Sequence, residues 1–295
     1  MTVDSPSADP FVEHRSLLFT VAYEMLGSAS DAEDVVQESW LRWADVDQSE
    51  VRDPRAYLVR VVTRQALDRM RKVSRQRETY VGEWLPEPLL TTPDVAEDFE
   101  LAESVSVAML TVLETLGPSE RAIFVLREVF EVPYDEIAEA VDKSSAAVRQ
   151  IAHRAREHVA ARRPRMQVSQ AEQLAAAEAF RVAIQSGDLQ GLLDVLAPDV
   201  VLVADGGGVA SAVRRPISGA ERVCRLLVKL AEVGPEARVR AMWLNGAPAL
   251  RLDIDGELDT AISLRVEARG ITGIYAVRNP YKLERLGTAM QLSRT

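Results

Sequence analysis

The sequence predicts a multidomain chain, with two all-α helical blocks followed by an α+β domain. Three observations predict it. Apolar residues recur at spacings of three and four from about Pro10 to Arg77, and again from about Phe99 to Arg163. Pro86, Pro88 and Pro93 interrupt that rhythm among acidic residues. After about Ser169 the texture changes to helical stretches followed by alternating segments that meet at glycine-bearing turns.

The 295 residues leave room for two or three separately cored domains. At 47% hydrophobic and 27% charged residues, the composition is ordinary for a soluble protein. No run of about 18 apolar residues suggests a membrane span. The N-terminus MTVDSPSADP lacks the basic start and apolar stretch of a secretory signal, and the single cysteine, Cys224, excludes an internal disulfide framework. A cytoplasmic protein is expected.

The net charge of −10 is segregated along the chain. Arg52 to Tyr80 holds nine Lys/Arg against three Asp/Glu, and Lys143 to Arg165 holds seven against one. Between them, Val81 to Ser104 holds seven Asp/Glu and no cation. Local basic stripes are the footprint of phosphate binding whatever the average charge. Charge alone does not separate that reading from solvated helix faces.

In the first block, expected over residues 10–80, the helical positions are Leu17, Leu18, Val21 and Leu26, then Val35, Val36, Trp40 and Trp43, then Tyr57 to Met70. Ser30, with Glu33 three residues later, suits the N-cap of the second helix. Residues 81–98 read as an extended acidic linker. Trp84, Leu85, Leu89 and Leu90 are too apolar for a purely solvated tether, so this linker should dock on something. The second helical block, 99–165, opens helical segments at Pro118 and Pro133, where a missing N–H does no harm. Arg162 to Arg165 close it. In the last block, 169–295, Gln170 to Ser186 and Gly219 to Val233 read as helices. Leu250, Leu252 and Ile254 then alternate with polar residues, Asp255-Gly256 turns into Leu258 to Glu267, and Arg269-Gly270 turns into Ile271 to Val277. A curved antiparallel sheet is expected there.

The strongest local signal is PYDEIAEAVDKSSAAVRQIAHRAREHVAAR, from Pro133 to Arg162. A helix, a turn at Asp142-Lys143 and a second helix capped by Ser144 have the length and polarity of a helix-turn-helix. Val148, Ile151 and Ala155 should pack inward. Arg149, Gln150, His153 and Arg154 should face outward, and Ser144 and Ser145 lie at the positive dipole end, where phosphates and base edges are met. The bland alternative is an ordinary basic αα-hairpin.

These residues resemble the extracytoplasmic-function sigma factors. VRQIAHRAR looks like that family's helix for the −35 promoter element, and LGPSERAIFVLREVFEVPYDEIAEAV is similar to the preceding helices of the same domain, sigma4. Asp142 stands where such turns often carry Gly, and Asp tolerates the left-handed conformation. In the N-terminal block, which resembles sigma2, DAEDVVQESWLRW (Asp31 to Trp43) looks like the helix that clamps RNA polymerase. The resemblance makes Asp34, Gln37, Glu38 and Trp40 its contacts. DPRAYLVRVVTRQALDRMRK (Asp53 to Lys72) looks like the helix facing the −10 element. Arg60, Arg64, Arg71 and Lys72 become candidates for the displaced strand, with the Ala44–Arg52 loop near the flipped base. Family sequences often carry Asn near Gln65.

WLPEP (Trp84 to Pro88), DGGG (Asp205 to Gly208) and NPYKL (Asn279 to Leu283) resemble motifs of the SigJ-type subgroup, whose members carry a fused SnoaL-like domain. Tyr281 stands where Asp is usual, and Val209 where Lys often follows the glycines. The resemblance implies an NTF2-like cone after residue 169 and an interdomain role for Trp84, Leu85, Pro86, Asp205, Gly206, Gly207, Asn279 and Pro280. The partners implied are core RNA polymerase and promoter DNA, one chain per polymerase, with no membrane, metal or cofactor. The cone has no histidine, and the alternation of Arg251, Asp253 and Asp255 places several charges outward as solvated strand residues. Catalysis is therefore disfavoured, a small apolar ligand stays open, and intramolecular regulation is favoured. Cys224 sits in an apolar helical pattern as a small buried hydrophobe. Two rivals stay in view, a ligand-responsive repressor acting without polymerase and an enzyme that the helical blocks regulate.

Overall fold

A computed structural model describes residues 9–77, 79–162, 168–231 and 237–294. The readings of the first eight residues, of Arg163 to Arg165 and of Val233 lie outside the described residues. The chain folds as two units.

The first unit gathers the described residues up to 75 with 113–162 and 291–294. Helix α1 (Pro10–Leu26) starts at Asp9, whose carboxylate accepts from Phe11 N at 2.9 Å and from Trp43 Nε1 at 3.0 Å. Gly27, left-handed at φ +65°, ends it. Helix α2 (Ala29–Ala44) is capped by Ser28, which accepts from Asp31 N at 3.2 Å, and not by Ser30. The glycine turn delivers the chain to an extended Ser28 at φ −132°, so the helix begins two residues earlier than its apolar rhythm suggests. Helix α3 (Pro54–Arg77) follows a loop. Leu17, Leu18, Val21, Val35, Val36, Trp43, Leu58 and Val62 form the buried seam of these three helices.

Next in sequence come α4 (Phe99–Val105) and α5 (Val107–Leu113). They belong to the second unit up to residue 112. Helix α6 (Pro118–Phe124) opens on Pro118 and widens into a π-turn at Val125–Val129. Helices α7 (Tyr134–Val141) and α8 (Ser145–Ala160) complete the first unit's helices. Arg121 is 1% exposed and ties α6 to α1, donating from Nε to Glu24 O at 2.9 Å and pairing with Glu114. Burial pushes its pKa down to about 9. The tail also joins this unit, with Ser293 N donating to Thr20 Oγ1 at 3.1 Å.

The second unit gathers residues 76–112 with the described residues from 168 to 290. Ser169 and Glu172 form a capping box for α9 (Gln170–Ser186), and Gly187 closes it in the left-handed region. After α10 (Leu189–Val195) come β1 (Leu196–Asp205), β2 (Ile217–Ser218), α11 (Ala220–Ala231), β3 (Arg238–Leu244), β4 (Ala247–Ile254), β5 (Glu257–Glu267), β6 (Gly270–Val277) and α12 (Pro280–Leu283). The six strands lie in the order β2-β1-β6-β5-β4-β3.

This sheet is mixed, not purely antiparallel as expected, because β1 runs parallel to β6. The register of β1 shifts between Leu196 and Val201, across Pro198 and Asp199, which break the alternation that would have marked it as a strand. The Asp255-Gly256 turn forms as expected, with φ of +54° and +84°. Glu267 pairs with Gly270, so the next turn falls at Ala268-Arg269, one residue earlier than expected.

One sheet face buries Leu202, Leu250, Ile262, Ile271 and Ile274 against Phe180, Leu192, Val223, Cys224 and Leu227 of the helices. Cys224 is fully buried, and desolvation raises its thiol pKa. The opposite face buries Leu244, Ala249, Ala261, Tyr275 and Val277 against Leu85, Val107, Ala108, Leu283 and Leu286. The acidic linker and α5 therefore pack on the sheet. Asp253 corrects the expectation of solvated strand charges. It is 2% exposed, paired with Arg251 and 3.4 Å from Arg240 Nε.

Candidate nucleic-acid interface and linker lock

The helix-turn-helix is built as the turn chemistry predicts. Asp142 adopts φ +54°, and Ser144 Oγ accepts from Ala147 N at 3.2 Å. Val148, Ala152, Ala155 and Val159 are buried, while Arg149, Gln150, His153 and Arg154 are exposed. Ile151, expected inward, is half-buried, and Ala152 fills the inner face instead. Arg149 lies 5.5 Å over the Tyr134 ring, beside Arg127 at 4.6 Å, so an aromatic platform aims it. Ser145 Oγ donates to Asp135, and His153 lies 3.6 Å from Glu157.

On α2, Asp34, Gln37, Glu38 and Trp40 are all exposed, and Leu41 beside them is 55% exposed. Asp34 contacts Arg69 at 3.0 Å. Arg69 is held mainly by its hydrogen bonds to Asp31, which raise the guanidinium pKa despite partial desolvation. On α3, Arg71 and Lys72 are exposed, with Arg71 3.1 Å from Asp68. Arg60 and Arg64 instead meet Glu139 of α7. Gln65 is 8% exposed, so it points into the helical core and not to a base.

The eight expected interdomain residues lie in the second unit, and Trp84, Leu85, Gly207 and Asn279 gather, directly or through Tyr80 and Lys282, around the carboxylate of Asp205. Asp205 ends β1 with no exposure to solvent. Its oxygens accept from Tyr80 OH at 2.6 Å, Leu85 N at 2.9 Å, Gly207 N at 3.0 Å and Lys282 Nζ at 2.7 Å. Lys282 also donates to Leu85 O and stacks over the Trp84 ring at 4.1 Å. Asn279 donates to Tyr80 OH at 2.9 Å and caps α12 through Tyr281 N. Burial, then the hydrogen bond to Asp205, raises the Tyr80 pKa. A Cβ on Gly207 would stand 2.3 Å from Asn279 Nδ2, and one on Gly206 would stand 2.2 Å from Ala210 O. Pro86 is buried within the docked segment, whereas Pro280 is exposed at the first position of α12.

Tyr80 and Lys282 were not among the expected residues, although Lys282 lies inside NPYKL. A second clamp also went unread. Asn245 Oδ1 accepts from Leu89 N at 3.0 Å, Asn245 Nδ2 donates to Val105 O at 2.9 Å, and Leu90 bridges Leu244. Asp205 has its acceptor positions filled by four donors, which makes it an anchor and not a free general base. Among the described residues, no group of three or more His, Cys, Asp or Glu is placed to hold a metal ion. Nor is any helix there long and apolar enough to cross a membrane.

The family model for Sigma-70 region 2 matches residues 11–76, and that for Sigma-70, region 4 matches 106–159. The chain is 40% identical to the ECF RNA polymerase sigma factor SigJ of Mycobacterium tuberculosis over 251 residues, covering 83% of this chain and 77% of the relative. It is 31% identical to the probable ECF RNA polymerase sigma factor SigI of the same organism, covering 97% and 98%. The crystal structure of Mycobacterium tuberculosis SigJ is similar with a TM-score of 0.77 and 33% identity, over 94% of this chain and 98% of that one.

Proposed function

The chain belongs to the extracytoplasmic-function RNA polymerase sigma factors, which direct promoter-specific transcription initiation, and on that premise we propose how its surfaces divide the work. The α2 surface of Asp34, Gln37, Glu38 and Trp40 meets core RNA polymerase. Arg60, Arg64, Arg71 and Lys72 of α3 hold the displaced −10 strand. Ser144, Ser145, Arg149, Gln150, His153 and Arg154 meet the −35 element. In functional terms this gives a sigma2 segment at 10–80, a linker at 81–98, a sigma4 segment at 99–165 and a regulatory domain at 169–295. The protein works in the cytoplasm, one chain per polymerase, and its α+β domain regulates instead of catalysing.

The observation that carries the regulatory reading is the burial of Leu85 and Pro86 on the sheet, held by Asp205 and Lys282. A linker lying along polymerase between sigma2 and sigma4 must be free of that site, so docking and initiation compete for the same residues. Ligand control of this competition would need a small molecule that favours one state. Run-off transcription with purified core polymerase tests the reading. The full chain is compared with a Trp84→Ala, Leu85→Ala double variant. A change in promoter-specific transcript supports linker control. Unchanged transcript from that variant removes it, and absence of any transcript with core polymerase would favour a free-standing repressor.

A further inference from the structure

Within the first unit, two of the α3 cations are already taken. Arg60 Nη1 lies 2.6 Å from Glu139 Oε2, and Arg64 Nη2 donates to Glu139 O at 2.7 Å. The arrangement is directed on both sides. Arg60 lies 5.5 Å over the Tyr57 ring, which leans on buried Trp43 at 5.7 Å. Glu139 stands in the last turn of α7, where carbonyls lack intrahelical partners and the dipole is negative. Arg64 therefore caps a helix end while Arg60 pairs with the carboxylate beside it. A carboxylate next to a helix C-terminal carbonyl presents one anionic and one neutral oxygen acceptor, a partial likeness of the oxygens that a phosphate presents to arginine.

We propose that Glu139 and the C-terminal end of α7 form a latch that occupies Arg60 and Arg64 in the free chain and withholds them from the displaced promoter strand until polymerase separates α3 from α7. The inference rests on the reading of Arg60 and Arg64 as −10 strand contacts. The latch is weak by construction. The two side chains are 35% and 64% exposed, and pairs of that kind shift equilibria by about two- to fivefold. A latch of that strength lowers strand binding by the free protein without resisting assembly of the holoenzyme.

The test uses the full chain and a fluorescent single-stranded oligonucleotide of −10 non-template sequence, read by polarisation. Glu139→Gln should tighten binding by about two- to fivefold at low salt, and the gain should shrink as salt screens the pair. Glu136→Gln removes an equal charge from an exposed position on the same helix and should leave affinity unchanged. In holoenzyme with core polymerase, Glu139→Gln should match the wild type. No gain in the free chain, an equal gain from Glu136→Gln, or an equal gain in holoenzyme would each overturn the latch. Arg60→Ala with Arg64→Ala in holoenzyme checks the underlying reading separately. Lost strand binding there supports it, and wild-type binding would remove the reading and the latch with it.

Discussion

Lys282 Nζ lies 2.7 Å from Asp205 Oδ2, with the carboxylate fully buried and the ammonium nearly so. The pair joins NPYKL to DGGG, and through Leu85 it joins both to WLPEP. A buried ion pair is a poor source of net stability but an effective determinant of which partner docks, because breaking it strands a charge.

Asp205→Asn should therefore cost about 3–5 kcal/mol by removing the anionic half of a buried ion pair. Lys282→Met should cost less, because Asp205 keeps Tyr80, Leu85 N and Gly207 N as donors. Urea unfolding gives the order, and limited proteolysis between Thr79 and Val95 reports whether the linker lifts. A wild-type midpoint and cleavage rate for Asp205→Asn would show that the ion pair does not hold the linker.

Asn245 is expected to be the less replaceable residue of the second clamp. It sits at φ +53° and bonds Leu89 N and Val105 O through its side chain. Asn245→Gly relieves the backbone but leaves two buried groups unpaired, costing about 2–6 kcal/mol at roughly 1–3 kcal/mol each. Asn245→Ala should cost about 1 kcal/mol more, for a Cβ in the left-handed region. Equal urea midpoints for the two variants would show that strain plays no part.

Much of this was legible because local chemistry and tertiary structure agree. Asp142, Ser144 and the outward Arg149–Arg154 face follow from turn propensity, capping and a 3.6-residue period, and all are local. What was not legible depends on distance along the chain. The Tyr80–Asp205 contact spans 125 residues, and no periodicity in either segment announces it. The buried state of Asp253 follows from its pairing with Arg251 on the same strand and with Arg240 across on β3, whereas alternation within β4 alone predicts solvent. The Asn245-Gly246 turn was readable in principle, since Asn-Gly between apolar runs is a strong hairpin signal. Trp243 and Pro248 around it blurred the alternation that would have drawn attention to it.

Trp40 is 44% exposed on α2, beside Leu41. An exposed tryptophan that contributes little to its own fold is well suited to anchor a partner. Trp40→Ala should change stability by no more than about 0.5 kcal/mol. It should weaken binding to core polymerase by roughly thirtyfold, the equivalent of about 2 kcal/mol at an anchor residue. Titration of core polymerase against labelled protein measures this, and unchanged affinity would move the polymerase surface away from α2.

Arg149 and Arg154 should separate into two kinds of contact. Arg149 lies near the start of α8, steadied by the Tyr134 ring, and the N-terminal residues of such helices reach base edges. Arg154 lies more than a turn further on, where a helix docked by its N-terminal end would pass the phosphate backbone. In holoenzyme, Arg149→Ala should cost about 1–3 kcal/mol on the preferred −35 sequence and relax discrimination at one position. Arg154→Ala should weaken all sequences alike and lower the slope of log K against log salt by about 0.9. Binding isotherms at several salt concentrations, on matched and mismatched −35 duplexes, distinguish the two. If both variants lose affinity uniformly and shift the salt slope equally, Arg149 is a phosphate contact and sequence is read from Gln150 or His153.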